Sequence, residues 1–128
     1  MALIGPLTPY NLLENQALTV SGGATPSATS NPLPTGMLSK LHVYVSNAGA
    51  STSVTVDIYG KKTATTNVKE HLATFTLGAA TGAGASLVPY SAGRYIESSA
   101  IPSFIYAVAT NSDTANAASI SVTIDRWR

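Results

Sequence analysis

The sequence contains no cysteine, which excludes a disulfide framework and any metal site built on thiolates. Charged residues make up only 10% of the 128 residues, well below the roughly 25% that is typical of soluble domains. The net charge is +1, and beyond Lys61-Lys62 no basic cluster provides an electrostatic footprint for nucleic acid. A surface with so few ions repels other copies weakly, so we expect it to favour packing against neighbouring subunits.

Targeting and membrane signals are absent as well. Residues 1–6 include no basic segment followed by a long apolar stretch, so no signal peptide is predicted. No run approaches the roughly 18 apolar residues that a membrane span needs, and no Asn-x-Ser/Thr acceptor occurs. We therefore expect a protein that is made and assembled in a reducing cytoplasm, without a membrane partner.

Residues that carry catalysis are equally scarce. His42 and His71 are the only histidines, and the six acidic residues are scattered along the chain. We find no Gly-x-Ser-x-Gly elbow, no phosphate-binding loop, no calcium loop and no predicted carboxylate pair. The sequence therefore predicts no enzyme activity, no cofactor and no metal ion. A pair of His42 with Asp57 is interpreted as a surface cross-strand pair, in preference to an acid–base pair.

Two stretches of the chain, residues 41–59 and 105–127, resemble each other. Each has apolar, β-branched runs on both sides of a turn of small residues, and an asparagine, Asn47 or Asn111, opens the turn. This pattern is typical of a β-hairpin, so two hairpins are predicted.

Alternation of side chains gives the first hairpin a predicted register. Apolar pairs are expected on the inner face and polar or aromatic pairs on the outer face. The expected pairs are Val45 with Val54, Val43 with Val56, Leu41 with Ile58, His42 with Asp57, and Tyr44 with Thr55.

Further short strands are predicted over residues 15–20 and 71–77, with an edge strand over 87–90. Residues 21–36 contain three prolines and are expected to form an ordered surface loop. Seven or eight short strands without helical periodicity indicate an all-β fold. The predicted architecture is an antiparallel β-sandwich, jelly-roll-like, with an immunoglobulin-like sandwich as the alternative.

Residues 1–15 are predicted to form an extended, apolar N-terminal arm, and residues 16–128 a single sandwich domain. Pro6 and Pro9 exclude a regular helix through the arm and disfavour a central strand. Docking of the arm on its own domain and docking on a neighbouring subunit are both compatible with the pattern.

Residues 103–109 are apolar on both faces of the predicted strand, which is typical of a strand buried on both sides. The face turned away from the core must then be covered by a loop, by the arm or by another subunit. We predict an interface that combines the arm, this face and the chain end. Its residues are Leu3, Ile4, Leu7, Tyr10, Leu12, Leu13, Phe104, Tyr106, Val108 and Trp127.

Exposed aromatic residues favour a second function class. Tyr44 and Tyr59 fall on the outer face of adjacent predicted strands, and Trp127 lies near a strand end. Small sandwiches that bind sugars often present such rings, so a carbohydrate-binding module is an alternative to a structural role.

Three features of the chain together resemble a known class of virion proteins. They are strands rich in Ser, Thr, Ala and Gly, such as residues 53–57 and 119–125, the apolar segment 1–13 interrupted by prolines, and the lack of cysteine. They are similar to the small decoration (cement) proteins and other accessory shell proteins of tailed bacteriophages. The resemblance concerns the style of the whole chain, and no functional residue is carried over from it.

The resemblance implies a sandwich or jelly-roll subunit of the virion, often a trimer, that clamps neighbouring major capsid subunits at local symmetry axes. The expected partners are the major capsid protein or other virion subunits and further copies of this chain, with no nucleic acid. A tail-tube, head-fibre or adaptor protein is the alternative within the same class.

Overall fold

Nine strands and one short 3-10 turn make up the ordered elements of the computed structural model, which describes residues 8–20, 25–36, 38–97 and 100–127. The elements are β1 (Tyr10–Leu18), β2 (Ser27–Thr29), β3 (Leu33–Pro34), β4 (Lys40–Asn47), β5 (Val54–Lys61), β6 (Glu70–Leu77), a 3-10 turn (Gly84–Ser86), β7 (Tyr90–Glu97), β8 (Phe104–Asn111) and β9 (Ala118–Trp127). In the central strands every second residue is buried, as the alternation of apolar residues predicts.

The strands form two antiparallel sheets that pack as a sandwich. The first sheet has the order β1-β9-β4-β7, and the second has the order β2-β8-β5-β6, with β3 also paired to β8. The pairs are nested along the chain: β1 with β9, β2 and β3 with β8, β4 with β7, and β5 with β6. This is the order of an eight-stranded jelly roll in which β2 and β3 share one edge. The predicted all-β antiparallel sandwich is confirmed.

The two predicted hairpins are wrong, because the chain changes sheet at both turns. β4 belongs to the first sheet and β5 to the second, while β8 belongs to the second and β9 to the first. The two similar stretches therefore pair with each other: β4 lies beside β9, and β5 lies beside β8.

The pairs predicted for the first hairpin occur with the matching residues of the second stretch. Val45 pairs with Val122 instead of Val54, and His42 pairs with Asp125 instead of Asp57. The other pairs follow the same rule: Val43 with Ile124, Tyr44 with Thr123 and Leu41 with Arg126. Each residue of β4 therefore pairs with the residue of the second stretch that is equivalent to its predicted partner in the first stretch.

Two buried asparagines close the sheet-to-sheet crossings. The Asn47 side chain donates to the carbonyl oxygens of Ser51 and Gly78 at 3.1 and 2.9 Å. Its Oδ1 accepts from the backbone nitrogens of Gly49 and Ser119 at 2.9 and 3.1 Å. All four hydrogen-bonding positions of this amide are thus filled, as burial requires.

Asn111 fills the same place at the second crossing. Its Nδ2 donates to the carbonyl oxygens of Leu18 and Asn116, both at 3.0 Å. Its Oδ1 accepts from the hydroxyl of Ser51 and from the backbone nitrogen of Asp113. Because Ser51 belongs to the first crossing, this bond ties the two crossings together.

The core lies between the sheets and consists almost entirely of aliphatic side chains. The largest fully buried ones are Leu41, Val43, Val45, Val54, Val56, Ile58, Leu77, Ile105, Ile120, Val122 and Ile124. The strand predicted over residues 71–77 is confirmed as β6, in which Ala73, Phe75 and Leu77 are buried. The strand predicted at 87–90 starts instead at Tyr90, and β7 is an edge strand of the first sheet.

β1 begins inside the segment predicted as an arm. It pairs with β9 from Tyr10 to Leu18, and Leu13 and Leu18 enter the core. Two irregularities in the register lie between residues 11 and 16, and Asn15 has a φ of 45° there. Residues 1–7 of the predicted arm lie outside the described residues.

Candidate functional site

The structure separates the residues predicted to form one interface. Leu3, Ile4 and Leu7 lie outside the described residues. Tyr10 is exposed, Leu12 is half-buried and Leu13 is a core residue. Phe104, Val108 and Trp127 are half-buried, and Tyr106 is buried. The Arg126 guanidinium lies 5.7 Å from the Tyr10 ring centroid, and this contact holds the start of β1 against β9.

The outer face of β8 is covered in large part by the chain itself. Tyr106 is only 7% exposed, although it points away from the core. Tyr59 pairs with it on the adjacent strand and stacks on it, with ring centroids 5.5 Å apart. The Lys61 ammonium lies 4.7 Å from the Tyr106 ring centroid. The need to cover this second apolar face is thus met at Tyr106 without another subunit.

The outer face of the first sheet presents a continuous row of rings across β4, β7 and β9. Its members are Tyr44, His42, Tyr95 and Trp127, which we call the aromatic band. Neighbouring ring centroids along it are 6.3, 4.5 and 6.1 Å apart. Tyr44 and Tyr95 are 45% and 57% exposed, so the band is open to solvent.

Two features fix the geometry of the aromatic band. The Lys40 ammonium lies between two of its rings, 5.2 Å from the Tyr95 centroid and 4.7 Å from the Trp127 centroid. Gly93 lies opposite Tyr44 in the sheet, and a Cβ at this position would stand 2.6 Å from His42 Nε2. The His42 ring can occupy this position only because Gly93 has no side chain. Glycine inside a strand often marks a site where another group approaches the backbone closely.

The predicted platform of Tyr44 and Tyr59 is wrong. The two tyrosines were expected on adjacent strands, but Tyr44 lies on the first sheet and Tyr59 on the second. Tyr95 on β7 joins His42 and Tyr44 instead. The sequence pattern did not indicate which strand would lie beside residues 90–97, so it did not place Tyr95 beside His42.

The predicted pair of His42 with Asp57 is also wrong, and each residue has another partner. His42 Nδ1 lies 3.7 Å from Asp125 on the first sheet. Asp57 Oδ1 lies 3.0 Å from His71 Nε2 on the second sheet. The hydroxyl of Thr74 lies 2.7 Å from both of these atoms.

The three side chains of Asp57, His71 and Thr74 do not form a proton relay. In a nucleophile–histidine–carboxylate triad, the hydroxyl and the carboxylate contact opposite nitrogens of the ring. Here both contact Nε2, and among the described residues no carboxylate bonds the other ring nitrogen to orient the imidazole as a base. We interpret the cluster as a polar contact between β5 and β6 on the sheet surface.

Within the described ranges, the structure shows no group of three or more His, Asp or Glu side chains that could hold a metal ion. The same ranges contain no helix of the length and apolar character needed to cross a membrane.

No protein-family model matches the sequence, and a search of curated proteins finds no match either. Among solved structures, the chain is similar to a viral capsid protein in the structure of infectious bursal disease virus, Gx strain. The TM-score is 0.53 at 14% identity, over 94% of this chain and 33% of that chain. This chain therefore spans about one third of that protein, and the likeness is one of fold.

A second solved structure has a lower TM-score of 0.38, at 20% identity. It contains the CBM22-1 and GH10 modules of endo-1,4-β-D-xylanase 10B from Clostridium thermocellum, complexed with xylohexaose. The comparison covers 94% of this chain and 25% of that chain.

Proposed function

We propose that this chain is a structural protein of a virus particle, a decoration (cement) subunit that binds and stabilises the shell of the major capsid protein. The observation that carries this proposal is the fold, a jelly roll similar over 94% of the chain to a viral capsid protein. Jelly rolls also serve as lectin and cupin domains. The low charge content favours the shell role, because subunits packed side by side must not repel one another.

The surface we propose for shell contact is the start of the chain together with β1. Leu3, Ile4 and Leu7 are large apolar residues, and the chain continues from them into an edge strand. Within the described part of the chain β1 pairs with β9 alone, so its other edge can accept a strand from a neighbouring subunit.

The proposed partners are the major capsid protein or other virion subunits, together with further copies of this chain, with a trimer favoured. The proposed location is the virion, assembled in the host cytoplasm. We propose neither catalysis nor a nucleic-acid or membrane partner for this chain. A tail-tube, head-fibre or adaptor protein remains the alternative within the same class, and its symmetry would differ.

Native mass spectrometry of the full chain tests this proposal. We expect a trimer, and we expect a variant with Leu3, Ile4 and Leu7 changed to serine to be monomeric while keeping its thermal midpoint. The substitutions must not extend into β1, because Leu13 belongs to the core. A full chain that stays monomeric at micromolar concentration, or a serine variant that assembles unchanged, would contradict the proposed contact.

A second candidate function, glycan binding, is favoured by the aromatic band. Tyr44 and Tyr95 are exposed on one sheet face, and the Asp125 carboxylate and the Thr123 hydroxyl lie beside them in register. Aromatic rings stack on the apolar faces of sugars, while carboxylates and hydroxyls bond their OH groups.

Isothermal titration with glycans selected on an array tests this second function. Binding should be lost in Tyr44→Ala and Tyr95→Ala. The matched control is Tyr59→Ala, which removes a tyrosine from the opposite sheet and should leave binding unchanged. Binding that survives both changes on the first sheet would exclude the aromatic band as the glycan site.

A further inference from the structure

A pocket of about 450 Å³ lies at the end of the second sheet where β5 turns into β6. This volume is within the range of roughly 300–1,000 Å³ in which ligand sites are found. The residues that matter for its chemistry are Lys61, Lys62, Val68, Lys69, Glu70 and Pro102, and we call it the cationic pocket.

The cationic pocket concentrates charge on a chain that otherwise has little. Three of the four lysines in the sequence line it, against a single carboxylate from Glu70. Among the described residues, no lysine lies within 4.0 Å of a carboxylate, since both close pairs involve histidine. The lysines therefore give the pocket a net positive potential, which the single Glu70 carboxylate offsets only in part.

Aromatic rings hold two of these lysines in place. The Lys61 ammonium lies 4.7 Å from the Tyr106 ring centroid, and the Lys69 ammonium lies 4.2 Å from the Tyr59 ring centroid. Tyr59 and Tyr106 are themselves stacked, so both ammonium groups rest on one rigid pair of rings. Side chains that are already ordered lose less entropy when an anion binds.

The rest of the pocket fits a polypeptide better than a bare anion. Val68 is 79% exposed at its rim, and Pro102 packs over Gly60 so closely that a Cβ at Gly60 would stand 2.3 Å from the proline ring. The pocket adjoins β6, an edge strand whose outer backbone groups have no neighbouring strand in the described structure. A peptide offers an apolar side chain to the rim and backbone groups to the edge.

We propose that the cationic pocket binds an acidic segment of another polypeptide, with a Glu or Asp carboxylate placed between the Lys61 and Lys69 ammonium groups. Apolar side chains next to that carboxylate contact Val68 and Pro102. The pocket would have this role whether or not the chain belongs to a virus particle.

The test is a titration of ¹⁵N-labelled full-length chain with acetyl-Glu-Leu-Glu-Leu-amide, followed by amide chemical shifts. Shifts should concentrate at residues 60–70 and near Pro102, and affinity should fall as salt is raised. The glutamine peptide acetyl-Gln-Leu-Gln-Leu-amide should bind at least about fivefold more weakly.

Substitutions that lower or raise the positive charge of the pocket should change peptide affinity in opposite directions without changing the stability of the fold. Lys61→Gln and Lys69→Gln should each weaken binding about two- to fivefold, and Glu70→Gln should strengthen it about twofold, because it removes the one negative group of the lining. Lys40→Gln is the matched control, because Lys40 rests on Trp127 on the other sheet. Thermal midpoints of all four variants should match the parent within a few degrees.

Equal binding of the glutamine peptide, or no binding of the acidic peptide at millimolar concentration, would overturn the proposal. So would a weaker, rather than stronger, complex with Glu70→Gln. Oligothymidylate and inorganic phosphate serve as further probes. If a phosphate-bearing probe binds at the pocket and the acidic peptide does not, the ligand of the pocket is a different anion and the proposal is refuted.

Discussion

The two outer faces of the sandwich carry similar residues and present different surfaces. Each face has a histidine–carboxylate pair, tyrosines and at least one lysine. On the first sheet the tyrosines are open to solvent and one lysine lies between two rings. On the second sheet Tyr106 is buried against Tyr59, and the lysines surround a pocket. The residue composition of a face therefore does not determine which of its side chains are exposed. The packing of each aromatic ring determines which side chains solvent or a partner can contact.

Truncating a tyrosine on each face should give the largest contrast in stability. Tyr106→Ala removes a buried ring and its stacking contact with Tyr59, and we expect a loss of about 2–4 kcal/mol in the free energy of unfolding. Tyr44→Ala removes an exposed ring and should cost less than about 1 kcal/mol. Denaturant unfolding measures both, and similar losses would show that the faces do not differ in packing.

A methyl group added at a glycine on each face should give the next contrast. At Gly60 the new Cβ meets the ring of Pro102, which is tied to the backbone, and we expect Gly60→Ala to cost about 2–3 kcal/mol. At Gly93 the new Cβ meets the His42 ring, which can rotate away, so Gly93→Ala should cost about 1 kcal/mol. The thermal midpoints of the two variants give the order, and the reverse order would contradict the account of His42.

The smallest effect is expected in the loop between β8 and β9, which connects the faces. The backbone nitrogens of Thr52, Ala115 and Asn116 donate to the Asp113 carboxylate at 3.0, 2.8 and 3.1 Å. The Thr52 bond is the main cause that holds the pKa of Asp113 well below its usual range, and the bonds from Ala115 and Asn116 lower it further.

The sign of the pH dependence follows from this lowered pKa. The charged carboxylate stabilises the fold above the unfolded pKa of about 3.9, and that contribution is lost as the pH falls toward the folded value. Asp113→Asn should therefore be slightly less stable than the parent at pH 7, and the gap should narrow steadily below pH 4. Urea midpoints at a series of pH values check this. A gap that stays constant down to pH 2 would show that charge is not the cause.

Much of the fold could be predicted from alternation alone. The strands, their inward residues and even the partner types of β4 were predictable, because β-branched residues at every second position mark a half-buried strand. The sheet to which each strand belongs was not predictable. A turn of small residues permits either a hairpin or a crossing between sheets, and in this chain a buried polar side chain fills the corner of each crossing.

Asn47 and Asn111 fill these corners, and nothing in their sequence context distinguishes them from an asparagine in the turn of a hairpin. An asparagine at a turn usually bonds the backbone nitrogen two residues on and stays exposed. Asn47 and Asn111 make that bond too, but they are buried and have every polar atom satisfied. The candidate sites were missed for the same reason. Tyr95 reaches His42 only once the crossings have placed β7 beside β4, and Lys61 reaches Tyr106 only once they have placed β8 beside β5.

The distinction between the two faces depends on β4 lying beside β9 and not beside β5, and backbone nuclear Overhauser effects measure this directly. Packed sheets are about 10 Å apart, too far for contacts between α-protons, whereas paired strands bring them within range. We predict inter-strand backbone contacts between residues 43–45 and 122–124. Contacts of residues 43–45 with 54–56 would restore the hairpin and contradict the jelly-roll order on which both surfaces depend.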